Sequence, residues 1–315
     1  MRLRRRALAG LAAGLALPAP VRAARAETVE LLVASPVGSA ADRWARGMAP
    51  FLERAWPRQA LAVRNRPGRG GLDGLAEIAS APPAGRRLVG VLTTPLLLSR
   101  AMEAGEPSPL ARLTPLGALV EEPVVLVTAP GGPGSVEELR QRARNAPIGT
   151  PPPGTGAHVT GMRLAERTGL PLLAFPSATA ARQAAAAGHV AAAVLTLPDV
   201  IGPLREEKLV ALGVASSRRS PLLPELPTLS EAGLELLGAT RRGFALGPEP
   251  APEWRDWLVA GLEKLAADPD LEAFCAENGQ VPRFLGPAAW SSLLTRQDEE
   301  LRRRWRDDPW LPRKG

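Results

Sequence analysis

Arg64-Asn65-Arg66-Pro67-Gly68-Arg69-Gly70-Gly71, with Leu72-Asp73-Gly74 behind it, is the stretch from which the fold can be read. It follows a short apolar run, Leu61-Ala62-Val63, and precedes a helical pattern from Leu75 to Ser80. A strand that runs into Pro and closely spaced glycines, and then into a helix, has the form of an α/β ligand-binding turn. Pro fixes φ, the glycines permit left-handed backbone and close approach, and a helix start presents free N–H groups to an anion.

Working outward, the same unit recurs. Val29 to Ala34 reads as a strand entering Ser35-Pro36-Val37-Gly38-Ser39-Ala40-Ala41-Asp42, after which Trp44, Met48, Phe51, Leu52 and Ala55 fall at helical spacing. Leu88 to Leu92 is a third strand, ending in Thr93-Thr94-Pro95. Three strand–turn–helix units in sequence predict a parallel sheet with crossover helices. From Leu116 to Thr128 the pattern becomes two apolar runs separated by Glu121-Glu122-Pro123. A second α/β set follows: a capping box at Ser135–Glu138, a Gly-rich loop at 150–156, strands at 172–175, 191–197 and 209–215, and a capping box at Thr228–Glu231 closed by Gly233. Residues 242–246 read as a strand returning to the first set, and the tail reads as helices over 252–267, 269–278 and 287–306. The expected division is 27–123 plus 238–315 as one lobe and 124–237 as the other.

The first 26 residues read as an export leader. Arg2, Arg4, Arg5 and Arg6 precede an apolar run from Ala7 to Pro18, and Ala24-Arg25-Ala26 is an A-x-A cleavage site. The run is too short to span a membrane as a mature helix. Arg5-Arg6 leaves both the general and the twin-arginine export routes open. Removing the six arginines of the leader from the 39 basic groups leaves 33 against 32 acidic ones, so the high isoelectric point gives no reason to expect nucleic-acid binding. Cys275 is the only cysteine, so no intrachain disulfide is possible.

Several chemistries lack their parts. His158 and His189 are the only histidines, and no G-x-S-x-G elbow supplies a nucleophile for a Ser–His–Asp triad. No His/Cys/carboxylate cluster has metal-ligand spacing, and neither P-loop nor G-x-G-x-x-G is present, so no metal or cofactor is expected. What is present is a set of loops leading into helices, at 35–42, 65–74, 93–95, 150–158 and 176–179, all rich in Gly, Pro, Ser and Thr. Backbone N–H groups and hydroxyls at such loops bind carboxylates with help from the helix dipole. Each loop alone reads equally as a cap for its own helix. Five of them at strand ends across two lobes favour a shared anion cleft, because ligands of such sheets bind beyond the carboxyl ends of the strands. Asp42 reads two ways, as a complement to a helix dipole or as a holder of water or a ligand amine. His158 likewise reads as a ligand contact or as a helix-end or interlobe residue. Arg43, Arg46, Arg64, Arg66 and Arg69 read as anion attractors or as solvated surface, and Trp44, Trp56, Trp254, Trp257 and Trp290 as helix-packing residues.

With these residues in place, the mature chain resembles the tripartite tricarboxylate transporter substrate-binding receptors, the TctC or Bug family. Val63 to Gly71 is similar to that family's V-E-N-R-P-G-A-G-G. Ser220-Pro221-Leu222-Leu223-Pro224-Glu225-Leu226-Pro227-Thr228-Leu229-Ser230-Glu231-Ala232-Gly233 resembles its S-P-x-L-P-D-V-P-T-x-x-E-A-G. Gly149 to His158 resembles its G-S-x-G-x-G-S-x-x-H, with one residue fewer before the His. The resemblance implies an α/β fold of the periplasmic binding protein type II kind, two lobes joined by crossing strands around an interlobe ligand cleft. It implies a periplasmic, monomeric receptor without a catalytic step, which delivers a small organic acid to membrane permease subunits. Carried onto matching positions, the ligand contacts fall on Ser35, Gly38, Ser39 and Asp42, on Thr93 and Thr94, on Thr150, Gly154, Thr155, Gly156 and His158, and on Ser177 and Ala178. Thr196 is expected at the end of a strand facing the cleft.

The chain departs from the pattern at three places. The first loop lacks the family's Phe and one Gly, Pro176-Ser177-Ala178-Thr179 stands for P-Y-K-G, and Gly188-His189-Val190-Ala191 lacks the Asp of G-Q-V-D. These leave the fold expectation intact and point to a less polar cleft, suited to a monocarboxylate or an apolar-bodied acid. The other readings carried forward are a periplasmic sensor signalling to a membrane partner and, further off, an exported hydrolase.

Overall fold

The computed structural model describes residues 27–82, 87–142 and 146–311; residues 1–26, read as an export leader, lie outside the described residues. The chain runs β1 (Glu27–Val33), α1 (Ala40–Ala55), β2 (Gln59–Asn65), α2 (Leu72–Ala79), β3 (Leu88–Thr94) and α3 (Leu96–Glu103) into a long strand, β4 (Thr114–Thr128). Then come α4 (Val136–Arg142), β5 (Ile148–Thr150), α5 (Gly156–Thr168), β6 (Leu172–Ala174), α6 (Ala178–Ala186), β7 (Ala192–Thr196), α7 (Leu197–Arg205) and β8 (Val210–Val214). The return is β9 (Ala239–Leu246), α8 (Pro252–Leu265), α9 (Pro269–Glu277), β10 (Val281–Leu285) and α10 (Pro287–Asp307).

The three opening units form the expected parallel ladder, ordered β2-β1-β3, and β9 joins its edge antiparallel to β3. β4 is the element that the sequence reading split. Its fifteen residues are one continuous strand, because the two glutamates at its middle are neutralised across the ladder. Glu121 accepts from Arg241 at 2.5 Å and Glu122 from Arg242 at 2.6 Å, both on β9. Around them β4 changes partners. Residues up to Pro123 pair with β9 and β10, and those from Val124 on pair with β7 and β8. β7, β5 and β6 then continue as a second parallel ladder.

Each ladder is covered on both faces. In the first lobe, Trp44, Met48 and Leu52 of α1 pack with Leu258 and Leu262 of α8 on one side, while Leu75, Ile78, Leu98 and Leu294 pack on the other. In the second lobe, α4 and α5 cover one face and α6 and α7 the other. A side chain such as Leu31, fully buried, contributes about 2 kcal/mol by leaving water. Trp56 and Trp290 are fully buried, in keeping with their packing role.

One local reading is corrected and one strand is added. The Thr228–Glu231 box forms, with Thr228 N donating to Glu231 Oε2 at 2.7 Å and Glu231 N to Thr228 Oγ1 at 3.0 Å. It opens only a turn, since Gly233, at φ +80°, reverses the chain before a helix can propagate. β10, Val-Pro-Arg-Phe-Leu, was not foreseen; it adds to the edge of β4 with a register shift after Pro282, where a proline is tolerated.

The opening stretch, 64–74, proves to be a brace. Gly71 sits at φ +106°, and a Cβ there would fall 2.8 Å from the carbonyl oxygen of Ala34, so only glycine lets the turn close on the end of β1. Asn65 donates from Nδ2 to the Ser35 carbonyl at 3.0 Å and accepts from Arg46 at 3.1 Å. Arg64 and Arg66 pair with Glu77, and Arg69 with Asp73 and Glu106. The turn therefore fixes the loop that leads into α1.

Candidate functional site

A cavity of about 730 Å³ opens between the lobes at the carboxyl ends of β1, β3, β6 and β7, a size suited to a small-molecule site. Nine of the predicted residues line it: Ser35, Ser39, Thr93, Thr94, Thr155, Gly156, Ser177, Ala178 and Thr196. Five do not: Gly38, Asp42, Thr150, Gly154 and His158.

The reason for this division lies in the helix caps. Ser39 Oγ accepts from Asp42 N at 3.2 Å, Thr155 Oγ1 from His158 N at 3.2 Å, and Ser177 Oγ from Ala180 N at 3.1 Å. These three hydroxyls are thus engaged with their own helices, and Thr155 also donates to the Pro152 carbonyl at 2.9 Å. What each helix start leaves open is the pair of amides just after the cap, which have no intrahelical acceptor. They belong to Ala40 and Ala41 on α1, Gly156 and Ala157 on α5, and Ala178 and Thr179 on α6. Five of these six side chains are Ala or Gly, and all five line the cavity, so the amides are not screened by bulk. Three helix N-termini, one from the first lobe and two from the second, therefore converge on one space with positive ends inward.

Asp42 and His158 complete the caps from behind. Asp42 is buried, accepts from Gly38 N at 2.8 Å and from Arg46 Nε at 2.9 Å. Burial raises its carboxyl, but the Gly38 amide, Arg46 and Asn65 together outweigh that and hold it below the ordinary range. His158 is buried too; its Nδ1 accepts from Gly154 N at 3.4 Å and its ring meets Trp310 edge-on at 6.4 Å. Burial, with Arg100 and Arg304 nearby, pushes it down to about 4, so it is neutral at pH 7. Of the two readings open for each residue, the structure places Asp42 against its helix start and His158 between α5 and the first lobe. Thr150 is fully buried, and its carbonyl accepts from the Phe175 N–H at 2.8 Å.

The floor of the cleft is where β4 and β9 cross, and the sequence reading did not find it. Arg242 and Glu122 form a buried bidentate pair at 2.6 and 3.3 Å; Arg242 also donates to Thr93 Oγ1 at 3.1 Å, and Gln280 Nε2 donates to Glu122 at 2.9 Å. Asp199, in the first turn of α7, accepts from Thr196 Oγ1 at 2.6 Å. Burial raises the Asp199 carboxyl, the Thr196 hydroxyl offsets part of this, and the charge of Glu122 raises it again. Trp44, read from spacing as a packing residue, is both: its ring packs at a tilt of 32° against Phe244 at 5.5 Å and lines the cavity, with Arg242 6.0 Å over its ring. Of the five arginines read as anion attractors, only Arg43 lines the cavity, and it donates to the Gly38 carbonyl. Among the described residues, no group of His, Cys, Asp and Glu is placed to hold a metal ion, and no helix is long and apolar enough to cross a membrane.

Comparison with known proteins agrees with this architecture. The protein BugT of Bordetella pertussis is 28% identical over 290 residues, 87% of each chain. A TctC solute-binding protein from Polaromonas superposes with a TM-score of 0.75 at 23% identity, covering 89% of this chain and 98% of that one. MatC from Rhodopseudomonas palustris, solved with bound malate, superposes with a TM-score of 0.70 at 21% identity, covering 88% and 98%. These structures share the fold, that of the periplasmic binding proteins. The profile of the tripartite tricarboxylate transporter family receptor matches residues 46–283, and the chain belongs to that family.

Proposed function

We propose that this chain is an extracytoplasmic solute receptor that captures a small carboxylate-bearing organic solute and delivers it to the permease subunits of a tripartite tricarboxylate-type transporter. Its lobes are residues 27–123 with 238–315, and residues 124–237. The observation that carries the reading is the convergence of the α1, α5 and α6 N-termini, with small residues at their open amides, on one interlobe cavity. The malate held by MatC, which has the same fold, supports a carboxylate as ligand. A carboxylate bridging amides from both lobes stabilises the closed arrangement by its differential affinity for it. No catalytic step is involved, and the leader places the mature protein in the periplasm.

A ligand that binds only the folded form raises the melting temperature in proportion to occupancy. A thermal-shift panel of mono- and dicarboxylic acids is expected to give saturable shifts for a subset. Ala178→Asp sets a fixed carboxylate at a half-exposed first helical position, where it favours the helix but repels an anionic ligand. It is expected to keep or raise the unliganded melting temperature and to abolish the shift. Gly156 is unsuited to this control, because a Cβ there falls 2.5 Å from Thr240 Oγ1. Absence of any shift across the panel, or shifts unchanged in Ala178→Asp, overturns the proposal.

A further inference from the structure

The walls and the floor of the cleft have opposite character. The walls offer amide donors; the floor offers acceptors. Glu122 and Asp199 both line it, and the one guanidinium among them, that of Arg242, is committed to Glu122 and Thr93. The Asp199 carboxylate has no ion-pair partner among the described residues and accepts from the Thr196 hydroxyl, while Arg182 donates to the Asp199 backbone carbonyl at 2.7 Å. An acid in the first turn of a helix is often no more than a complement to the dipole. Here a second observation stands beside it. Gln280 is 5% exposed and lines the cavity, and its Oε1 has no hydrogen-bond partner among the described residues. Its orientation is fixed by chemistry, since turning the amide over would set Oε1 against the Glu122 carboxylate in place of Nε2. Gly279 brings Gln280 to the start of α7, where a Cβ on that glycine would lie 2.9 Å from Pro198 N. Gln280 and Asp199 thus both line the cleft near the start of α7. A buried acceptor left without a donor is destabilising, and a ligand with carboxylates alone has no donor to supply.

Building on the carboxylate reading above, we infer that the ligand also carries an ammonium nitrogen, which Asp199 and the Gln280 amide oxygen receive while the carboxylate lies at the helix N-termini. The solute class is then an amino-substituted organic acid, and Asp199 is a specificity-determining residue. The upward pull that Glu122 exerts on the Asp199 carboxyl is relieved by such a cation, which is attractive to both.

Matched series that vary one group separate the two readings: succinate, malate and aspartate, and adipate with 2-aminoadipate, titrated calorimetrically into the mature protein. In at least one series the ammonium member is expected to bind at least tenfold more tightly than its unsubstituted partner. Asp199→Asn is expected to collapse that preference to less than threefold. Asp199→Ser, which keeps a hydroxyl beside Thr196, repeats the test if the first variant folds poorly, and unliganded melting temperatures identify that case. Equal or tighter binding of the unsubstituted acid in every series that binds overturns the inference and leaves carboxylate capture standing. So does an equal loss of both members in the variants. No binding by any member overturns the carboxylate reading itself, and this inference with it.

Discussion

Two five-residue segments, one in each lobe, are built alike: Gly38-Ser39-Ala40-Ala41-Asp42 and Gly154-Thr155-Gly156-Ala157-His158. In both, a glycine in left-handed backbone (φ +77° and +79°) precedes a hydroxyl cap. Two small residues follow, and then a side chain that reaches back to the glycine amide. The difference is the fifth residue. Asp42 brings a negative charge to the start of α1 and ties it to Arg46, whereas His158 is an acceptor without charge. A carboxylate at a helix start offsets the positive end that a ligand would use, and a neutral imidazole does not. Of two similar caps, the one on α5 therefore keeps the stronger field for an anion.

The largest effect that tests this contrast is in pH. The folded state holds His158 near 4, below the ordinary 6.5, so the unfolded chain takes up a proton that the folded chain refuses. Stability is full above pH 6.5, falls as the pH drops toward 4, and is flat in this component below that. At about 1.4 kcal/mol per pKa unit the loss comes to about 3 kcal/mol. His158→Gln, which can still accept from Gly154, is expected to remove that slope in urea unfolding measured between pH 4 and 7. Asp42 answers to a different range. Its carboxyl lies below 3.8, so its contribution is intact above that value and is lost only as the pH falls lower.

Next in size, Asp42→Ala should cost about 2 kcal/mol in urea unfolding at pH 7, because the Gly38 amide and Arg46 both lose an acceptor. Asp42→Asn should cost about half of that. Exchanging the charge is a sharper test of the α5 field. His158→Asp is expected to weaken carboxylate binding about tenfold by calorimetry, while Asp42→Asn is expected to strengthen it about threefold. Ser39→Ala and Thr155→Ala should each cost about 1 kcal/mol of stability. If His158→Asp binds as the parent does, the comparison between the caps carries no functional meaning.

Much of the fold was readable because its signals are local. Strand–turn–helix units and hydroxyl caps leave their marks within ten residues, and Ser39, Thr155 and Ser177 cap the helices they were read beside. The same locality explains why two readings stayed open. A residue that accepts a helix-start amide has the chemistry of one that accepts a ligand, so Asp42 and His158 were legible as polar groups at helix starts but not as cap residues outside the cavity lining. The floor was hidden for the opposite reason. Glu122 meets Arg242 across 120 positions and Gln280 across 158, and no spacing in the sequence announces a register that distant. Glu121 and Glu122 even read as a break, because a buried charge is recognisable as structural only once its partner is known.

Trp44 has an optical consequence. Its indole lies on the wall of the cleft, its Nε1 has no hydrogen-bond partner among the described residues, and a guanidinium stands over its ring. The chain has seven tryptophans and no tyrosine, so its near-ultraviolet emission comes from indole alone. Solute arriving beside Trp44 changes the polarity around one emitter in seven without an added dye. Trp44→Phe would leave the other six as a silent background, which makes the unlabelled protein its own gauge of occupancy.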